Sequence, residues 1–208
     1  MTQSMFHIEW GISVEKKGDS QPLFEQVHGT NILELGSPPD PQARTTPIQA
    51  DGVVASYPKA ELYIYTADCL PLLFFTEEEN GPIAAIHAGW KGARLGIIQK
   101  TFSMLSHHPS LHVIIGPAIG ACCFAVREDF INEWETAGLS PQRYLSLRGN
   151  RYYFDLVRYA VEDALKPLPR AQIHLDWFRC TVCSTPSLPS FRRNKSANPR
   201  LRTWIRKP

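Results

Sequence analysis

The chain has 208 residues, of which 43% are hydrophobic and 20% are charged, so its length and composition fit one folded domain with a sizeable core. Its formal net charge is only +2 and no nucleic-acid recognition motif accompanies it, so we expect no nucleic-acid partner. The longest apolar stretch, residues 62–75, is broken by Asp68 and is too short to span a membrane, so we expect no membrane partner.

Short strands are predicted in the first half of the chain. Residues 6–14 alternate between apolar and polar side chains, while residues 62–67, 72–76 and 83–88 are runs of β-branched and aromatic residues. The turn sequence TEEENGP separates the last two segments, which predicts that they pair as a hairpin. The proline-rich residues 36–47 are predicted to form a long loop.

Helical periodicity follows the third of these runs. Apolar residues three or four positions apart predict a helix with the inward face Leu95, Ile98, Phe102 and Leu105. Residues 111–116 form a further predicted strand, and Asp155 is a predicted helix N-cap. The inward face of the helix after this cap is Leu156, Val157, Ala160, Val161 and Ala164. These elements, without internal repeats, predict mixed α and β structure.

The cysteines indicate a reducing compartment. Their number, five, is odd in a chain that is large enough to fold without disulfide bonds, which favours free thiols. The first residues also lack the basic region and apolar core of a signal peptide. We therefore predict a cytoplasmic protein with at least one reactive thiol.

Positive charge is concentrated towards the C-terminal end. After Asp176 the chain has eight of its 22 Lys and Arg residues and none of its 20 acidic residues. This pattern fits either a solvated basic face or an anion site.

His28, Cys69 and His87 are the residues best placed for chemistry. Cys69 follows one predicted strand and His87 ends another, so pairing of these strands would bring both side chains to one end of a sheet. His28, ahead of the long loop, is the natural third member. Two imidazoles and one thiolate suit Zn²⁺, and three protein ligands leave a fourth position for water or substrate. The alternative is a hydrogen-bonded core histidine and a small buried cysteine.

Two other groupings fit a metal site less well. Cys180 and Cys183 form a C-x-x-C pair, but Cys122 and Cys123 are adjacent in sequence, so we expect no second pair to complete a zinc ribbon. The chain also contains HIE at His7 and RCTVC around Cys180, but a nucleobase deaminase motif requires a proline where Arg179 stands.

Five motifs occur in the order QVHGT, TADCLPLLF, IAAIHAGWKG, IGPAIGACCFAV and SFRRNK. Together they resemble the YfiH family, whose members are also described as laccase-domain or polyphenol oxidase proteins and as purine nucleoside phosphorylases. The resemblance extends from about Gln26 to about Arg193. It implies one α/β domain over residues 1–208, in which packed mixed β-sheets are flanked by helices, with a shortened N-terminal segment and a basic C-terminal tail.

The resemblance also implies roles for individual residues. The family's zinc ligands correspond to His28, Cys69 and His87, and Gly89 would let the backbone turn away from the ion. Asp68, beside one ligand, would orient that ligand or carry a proton, with a turn-forming role as the alternative. Cys122 resembles a family cysteine that lies near the metal, with a small residue in a tight glycine-rich loop as the alternative.

The activities implied by the resemblance are phosphorolysis of purine nucleosides and 5′-methylthioadenosine, and deamination of adenosine. Zinc lowers the pKa of bound water to roughly 7, which suits attack on the C6 atom of adenine. Phosphorolysis needs a cationic pocket for phosphate, and the candidates are Lys91, Arg192 and Arg193, although each also fits a surface cation. The expected partners are thus a small nucleoside and phosphate, with the oligomeric state open.

Several alternatives remain at this point. The chain has a short segment before QVHGT and carries RRNK where the family has RRDG, which affects the expected substrate range. The other functions considered are a copper-dependent polyphenol oxidase, a metal-free hydrolase that uses Cys69 and His87, and a peptidoglycan editing factor. A non-enzymatic alternative is a partner-binding protein with a relic metal site.

Overall fold

The computed structural model describes residues 2–16, 18–19, 22–40, 48–165 and 171–208. The strands are β1 (Thr2–Met5), β2 (Ile8–Glu15), β3 (Ile32–Leu35), β4 (Gly52–Ala55), β5 (Glu61–Thr66), β6 (Leu70–Thr76), β7 (Ile83–Ala88), β8 (Leu111–Ile115), β9 (Ala125–Val126), β10 (Leu145–Arg148), β11 (Arg151–Phe154), β12 (Gln172–His174) and β13 (Arg200–Arg206). The α-helices are α1 (Trp90–Arg94), α2 (Ile97–Leu105), α3 (Glu128–Thr136), α4 (Leu156–Tyr159) and α5 (Phe191–Asn194). Within these ranges, no helix has the length and apolar character needed to cross a membrane.

The strands form three sheets. The largest has six strands in the order β12-β8-β6-β7-β4-β3, in which β8–β12 and β3–β4 are parallel and the other pairs antiparallel. A four-stranded antiparallel sheet has the order β1-β2-β13-β5, and a small sheet has the order β10-β11-β9. The molecule is therefore an α/β domain with packed sheets and flanking helices, as the family resemblance implied.

The six-stranded sheet is the middle layer because apolar side chains cover both of its faces. Successive residues of a strand point to opposite faces, so the residues of β6 contribute alternately to two cores. The core shared with the helices includes Leu72, Phe74, Ile86, Trp134 and Tyr159. The core shared with the four-stranded sheet includes Leu73, Phe75, Trp10, Leu62 and Ile205. Burial on both faces explains why β6 is a continuous apolar run rather than an alternating one.

The predicted strands are confirmed. The predicted segment 6–14 overlaps β2, the segments 62–67 and 72–76 overlap β5 and β6, and the segments 83–88 and 111–116 contain β7 and β8. The predicted hairpin is also present, with β6 and β7 antiparallel and Leu70 opposite Ala88. The short strand β1, which pairs with β2, was not predicted.

The helix predicted from Leu95 to Leu105 is wrong at its start. Gly96 has a φ of 91°, a left-handed conformation that separates α1 from α2. Leu95 lies in this break and is 56% exposed, so it does not belong to the inward face. Ile98 and Leu105 are buried as predicted.

The helix predicted after Asp155 is confirmed as α4, which continues as a π-helix over Ala160–Ala164. The Asp155 side chain accepts a hydrogen bond from the Arg158 backbone N–H at 2.9 Å, as an N-cap does. Leu156, Ala160 and Ala164 are buried, while Val157 and Val161 are partly buried against the same core. Of the predicted loop, residues 36–40 contain no helix or strand, and residues 41–47 lie outside the described residues.

The C-terminal residues that were predicted as a basic tail include a central strand. β13 lies between β2 and β5 in the four-stranded sheet. Arg202 pairs with Glu61 at 2.6 Å and Arg206 pairs with Glu9 at 2.6 Å. The acidic residues of the neighbouring strands therefore pair with two of the eight cations in this region.

Candidate metal centre

His28, Cys69 and His87 lie together at one end of the six-stranded sheet. Cys69 immediately precedes β6 and His87 is in β7, and the register of this hairpin places Pro71 opposite His87. The Cys69 Sγ atom is 3.7 Å from His28 Nε2, and the two imidazole rings are 4.8 Å apart at an angle of 78°. One ligand atom from each of the three residues lies within 4.8 Å of the others. The structure thus brings together the residues that their spacing had grouped.

Asp51, which was not predicted from the sequence, holds two of these three residues in place. Its fully buried carboxylate accepts a hydrogen bond from His87 Nδ1 at 2.8 Å. The bond fixes the imidazole orientation and leaves the Nε2 lone pair of His87 for a ligand, as carboxylates do behind metal-binding histidines. No motif marks this aspartate, and its only local signal is an acidic residue directly before an apolar strand.

The same carboxylate holds the loop that carries His28. It accepts backbone N–H groups from Val27 at 3.3 Å, His28 at 2.8 Å and Gly29 at 2.6 Å. His28 has a φ of 63°, which a non-glycine residue adopts at some cost unless its surroundings hold it. The three hydrogen bonds supply this support, so Asp51 positions two of the three ligands.

Gly89 provides space rather than backbone flexibility. The chain turns at Gly89 from β7 into α1, but its φ of −62° is one that any residue adopts, so the turn alone does not require glycine. A Cβ atom at this position would lie 2.8 Å from His28 Cδ2 and 3.2 Å from Cys69 Sγ. The absent side chain is what allows α1 to begin directly against the ligand cluster.

The three side chains strongly affect each other's protonation. Burial acts to raise the pKa of Cys69, but the charge of His87 and hydrogen bonds from both histidines outweigh it and lower the pKa to about 6. Burial acts to lower the pKa of His87, but the Cys69 charge and the Asp51 hydrogen bond raise it to about 9. Burial also opposes ionisation of Asp51, yet hydrogen bonds from His87 and the backbone lower its pKa. In the absence of a metal, the opposite pKa shifts of Cys69 and His87 favour an ion pair of a thiolate and an imidazolium.

The donor set fits a metal ion. A thiolate and two imidazole nitrogens are ligands that zinc and copper share, and three protein ligands leave a position open. The thiolate is already formed, and the Gly89 cradle keeps the space between the donors free of a side chain. The residues therefore suit a metal cofactor.

Asp68 connects the Cys69 loop to the C-terminal part of the chain. Its carboxylate accepts hydrogen bonds from Thr181 Oγ1 at 2.6 Å and from the Arg192 backbone N–H at 2.6 Å. Its φ is 101°, a strained value for an aspartate. These contacts favour the predicted role in orienting a ligand, because both oxygens are engaged away from the three donors.

The three predicted phosphate cations have different surroundings. The Arg193 guanidinium donates to the carbonyl oxygens of Thr181, Val182 and Leu188, so it mainly holds that loop. Arg192 donates one guanidinium bond, to the Ala125 carbonyl at 2.8 Å, and its backbone is bonded to Asp68 beside the cluster. Lys91 is exposed, with Nζ 5.5 Å from the Trp90 ring centre.

Cys122 lies with other cysteines rather than with the three metal-ligand candidates. Its Sγ atom is 3.5 Å from Cys183 Sγ, and one sulfur each from Cys122, Cys123, Cys180 and Cys183 lies within 4.8 Å of the others. The expectation that adjacent cysteines exclude such a grouping is wrong. They occupy a tight turn, in which the Cys123 N–H donates to the Gly120 carbonyl at 2.9 Å, so successive side chains do not diverge as in a strand.

The chain is similar in sequence to characterised families. Residues 13–206 match the family described as multi-copper polyphenol oxidoreductase laccase. An Aquifex aeolicus protein named purine nucleoside phosphorylase is 31% identical over 82% of this chain and 75% of that protein. A Haemophilus influenzae protein of the same name is 36% identical over 87% and 73% of the two chains. An Escherichia coli protein named purine nucleoside phosphorylase YfiH is 30% identical over 89% and 74%.

Solved structures share the fold. A Neisseria meningitidis protein superposes with a TM-score of 0.78 at 21% identity, covering 100% of this chain and 98% of that one. YlmD from Geobacillus stearothermophilus superposes with a TM-score of 0.72 at 22% identity, covering 97% and 92%. These similarities support the α/β architecture over nearly the whole chain.

Replacing Asp51 by asparagine tests its control of the cluster. The amide NH₂ group would face N–H donors, so we expect metal affinity to fall about 10- to 100-fold and the melting temperature to decrease. Competition with a chromophoric chelator and thermal unfolding measure the two effects. Asp176→Asn, at an exposed carboxylate outside the cluster, is the control. Equal metal affinity in Asp51→Asn and wild type would contradict the assigned role.

The pKa values predict how metal binding depends on pH. His87 must lose its proton to bind a metal, and its raised pKa of about 9 means that binding releases this proton throughout the neutral range. Affinity for Zn²⁺ should therefore rise roughly tenfold per pH unit up to about pH 9. Below about pH 6, protonation of Cys69 should steepen the loss. Titrations in a series of buffers measure the slope, and a flat profile between pH 7 and pH 9 would contradict it.

Proposed function

The chain belongs to the YfiH family of laccase-domain proteins, and we propose that it is a zinc-dependent purine nucleoside enzyme. The proposed reactions are phosphorolysis of adenosine, inosine or 5′-methylthioadenosine, deamination of adenosine, or both. The observation that carries the proposal is the open cluster of His28, Cys69 and His87 with Asp51 behind it. Relatives that are named purine nucleoside phosphorylase support the substrate class.

The protein's own residues prepare the site for such chemistry. Asp51 holds the Nδ1 proton of His87, so the imidazole presents Nε2 to the cluster. Cys69 contributes a thiolate, and the Asp68 contacts fix the loop on which it stands. Zinc, when bound, supplies a Lewis acid beside the substrate.

Phosphorolysis also needs a cation for the nucleophile. A phosphate oxygen forms a bond to the ribose C1′ while the C1′–N9 bond breaks, and the purine leaves with the electron pair and takes up a proton. Positive charge develops on the ribose, so a bound phosphate stabilises that state. Arg192 is the favoured phosphate ligand, because it lies beside Asp68 and only one of its guanidinium bonds is made within the described residues.

A metal-free hydrolase is the second candidate. A thiolate beside an imidazolium is the pair that cysteine hydrolases use, and the pKa values of Cys69 and His87 favour it. A multicopper polyphenol oxidase is less favoured. Among the described residues, the two groupings of possible ligands contain only two histidines between them, whereas several copper ions need many more imidazoles.

Incubation with nucleosides tests the proposal. Adenosine, inosine and 5′-methylthioadenosine are each incubated with the zinc-loaded protein, with and without phosphate, and the products are separated chromatographically. We expect free base only with phosphate, or inosine from adenosine regardless of phosphate. His28→Asn should abolish either activity because it removes a metal ligand, while asparagine tolerates the left-handed backbone. His107→Asn, at an exposed histidine outside the cluster, is the matched control.

Chelation separates the two candidates. The zinc enzyme should lose activity with a strong chelator and regain it with zinc, whereas a Cys and His pair would remain active without metal. If the zinc-loaded protein leaves all three nucleosides unchanged, the purine proposal is wrong. Cell-wall precursors and binding partners would then be the ligands to test.

The two neighbouring arginines should behave differently. Arg192→Gln should raise the KM for phosphate at least tenfold, since it removes a charge-assisted contact, with little change in melting temperature. Arg193→Gln should lower the melting temperature by several degrees, because its bonds to three carbonyl oxygens are lost. Steady-state kinetics and thermal unfolding distinguish these outcomes. An unchanged phosphate dependence in Arg192→Gln would remove it from the proposed site.

A further inference from the structure

Four cysteines that take no part in the proposed chemistry converge on one point. Cys122 and Cys123 follow β8 in one loop, and Cys180 and Cys183 follow β12 in another. One sulfur from each lies within 4.8 Å of the others, and the Cys122 and Cys183 sulfurs are 3.5 Å apart. In a zinc tetrahedron with Zn–S bonds of ~2.3 Å, the sulfurs are about 3.8 Å apart. Movements of the sulfur atoms by about 1 Å or less would therefore allow all four to bind one zinc ion tetrahedrally.

The backbone holds the two loops in register. Ala118 pairs with Cys180 as an isolated parallel bridge, in which the Thr181 N–H donates to the Ala118 carbonyl at 3.0 Å. The Gly120 N–H donates to Cys180 Sγ at 3.4 Å. A Cβ atom on Gly120 would lie 3.3 Å from Cys122 Sγ, so glycine gives the sulfurs room. The grouping is thus built by main-chain contacts rather than by chance proximity of exposed side chains.

The cysteines of this cluster differ in how readily they ionise. Burial raises the pKa of Cys180, but N–H groups of Gly120, Cys183 and Val182 outweigh it and lower the pKa to about 7. Burial and hydrogen bonds to Cys183 and Cys180 raise the pKa of Cys123 to about 11, and burial and hydrogen bonds to the neighbouring sulfurs also raise the pKa of Cys122. Four thiolates within 4.8 Å of one another would repel each other strongly, so such a grouping favours a cation between them. A divalent ion would supply that charge, because metal binding deprotonates its thiol ligands.

We propose that Cys122, Cys123, Cys180 and Cys183 bind a second zinc ion in a closed, four-thiolate structural site. Four protein ligands leave no position for substrate, in contrast to the open cluster of His28, Cys69 and His87. Soft thiolates favour zinc over hard cations. This site does not depend on the proposed nucleoside chemistry.

The second site would act on the first through Asp68. Thr181, next to Cys180, donates to the Asp68 carboxylate, and the Ile119 N–H donates to the Asp68 carbonyl at 2.9 Å. Asp68 directly precedes Cys69. Zinc that joins the two cysteine loops would restrict the movement of Thr181 and Ile119. Through their hydrogen bonds it would also restrict Asp68, which precedes Cys69 of the first site.

Zinc content per chain tests the proposal. The full-length protein is purified under reducing conditions, loaded with zinc, desalted and measured by elemental analysis. We expect about two zinc ions in wild type and about one in either His28→Asn or Cys183→Ser. Zinc should raise the melting temperature of His28→Asn. It should not raise that of the double variant in which His28→Asn and Cys183→Ser are combined. Ser184→Ala, next to Cys183 in the same loop, is the matched control and should retain about two.

Several results would overturn the proposal. They are a wild-type zinc content equal to that of Cys183→Ser, iron and sulfide in place of zinc, or a disulfide that survives the reducing preparation. If Cys183→Ser does not fold, thiol modification of His28→Asn decides the matter. Zinc should protect four cysteines and leave Cys69 reactive, and equal reactivity with and without zinc would contradict the site. A wild type with two zinc ions and no nucleoside turnover would instead count against the proposed function alone.

Discussion

The candidate metal centre depends on the hydrogen bonds that the buried carboxylate of Asp51 accepts. A charge without access to water must be fully hydrogen-bonded, and here four N–H groups converge on two oxygens. Three of these groups belong to the His28 loop and one to the His87 ring. The Asp51 carbonyl also accepts the His87 backbone N–H at 2.7 Å. A single residue thus locks an otherwise exposed loop onto the end of a rigid sheet.

Asp68, next to Cys69 in sequence, also holds separate segments of the chain together. It holds a strained backbone in place through contacts to two C-terminal residues that are more than 110 positions away. Each aspartate therefore joins segments that are distant in sequence, and these segments carry or adjoin the candidate ligands. The candidate ligands come from a hairpin and a loop, and the hydrogen bonds of these two carboxylates hold the segments that carry them.

The sequence predicted the parts of this site that are local. The β6–β7 hairpin follows from two apolar runs around a turn sequence, and its register alone places Cys69 near His87. Asp51 was missed because its partners are 22 to 36 positions away and no periodicity reports a long-range hydrogen bond. The helix break at Gly96 was missed because apolar spacing continues across it. The four-cysteine grouping was missed because its two halves are about 60 positions apart and meet through long-range contacts, such as the bridge between Ala118 and Cys180.

The central position of β13 has a consequence for how the chain folds. Its pairing with β2 joins Arg206 to Glu9, which are 197 positions apart, so forming it requires closure of a very long loop. The β6–β7 hairpin closes a loop of a few residues and forms on a much shorter timescale. An intermediate that contains this hairpin but lacks β13 leaves the apolar face of Leu73 and Phe75 exposed to water. Self-association during refolding should therefore begin at that face, on the side of the sheet away from the helices.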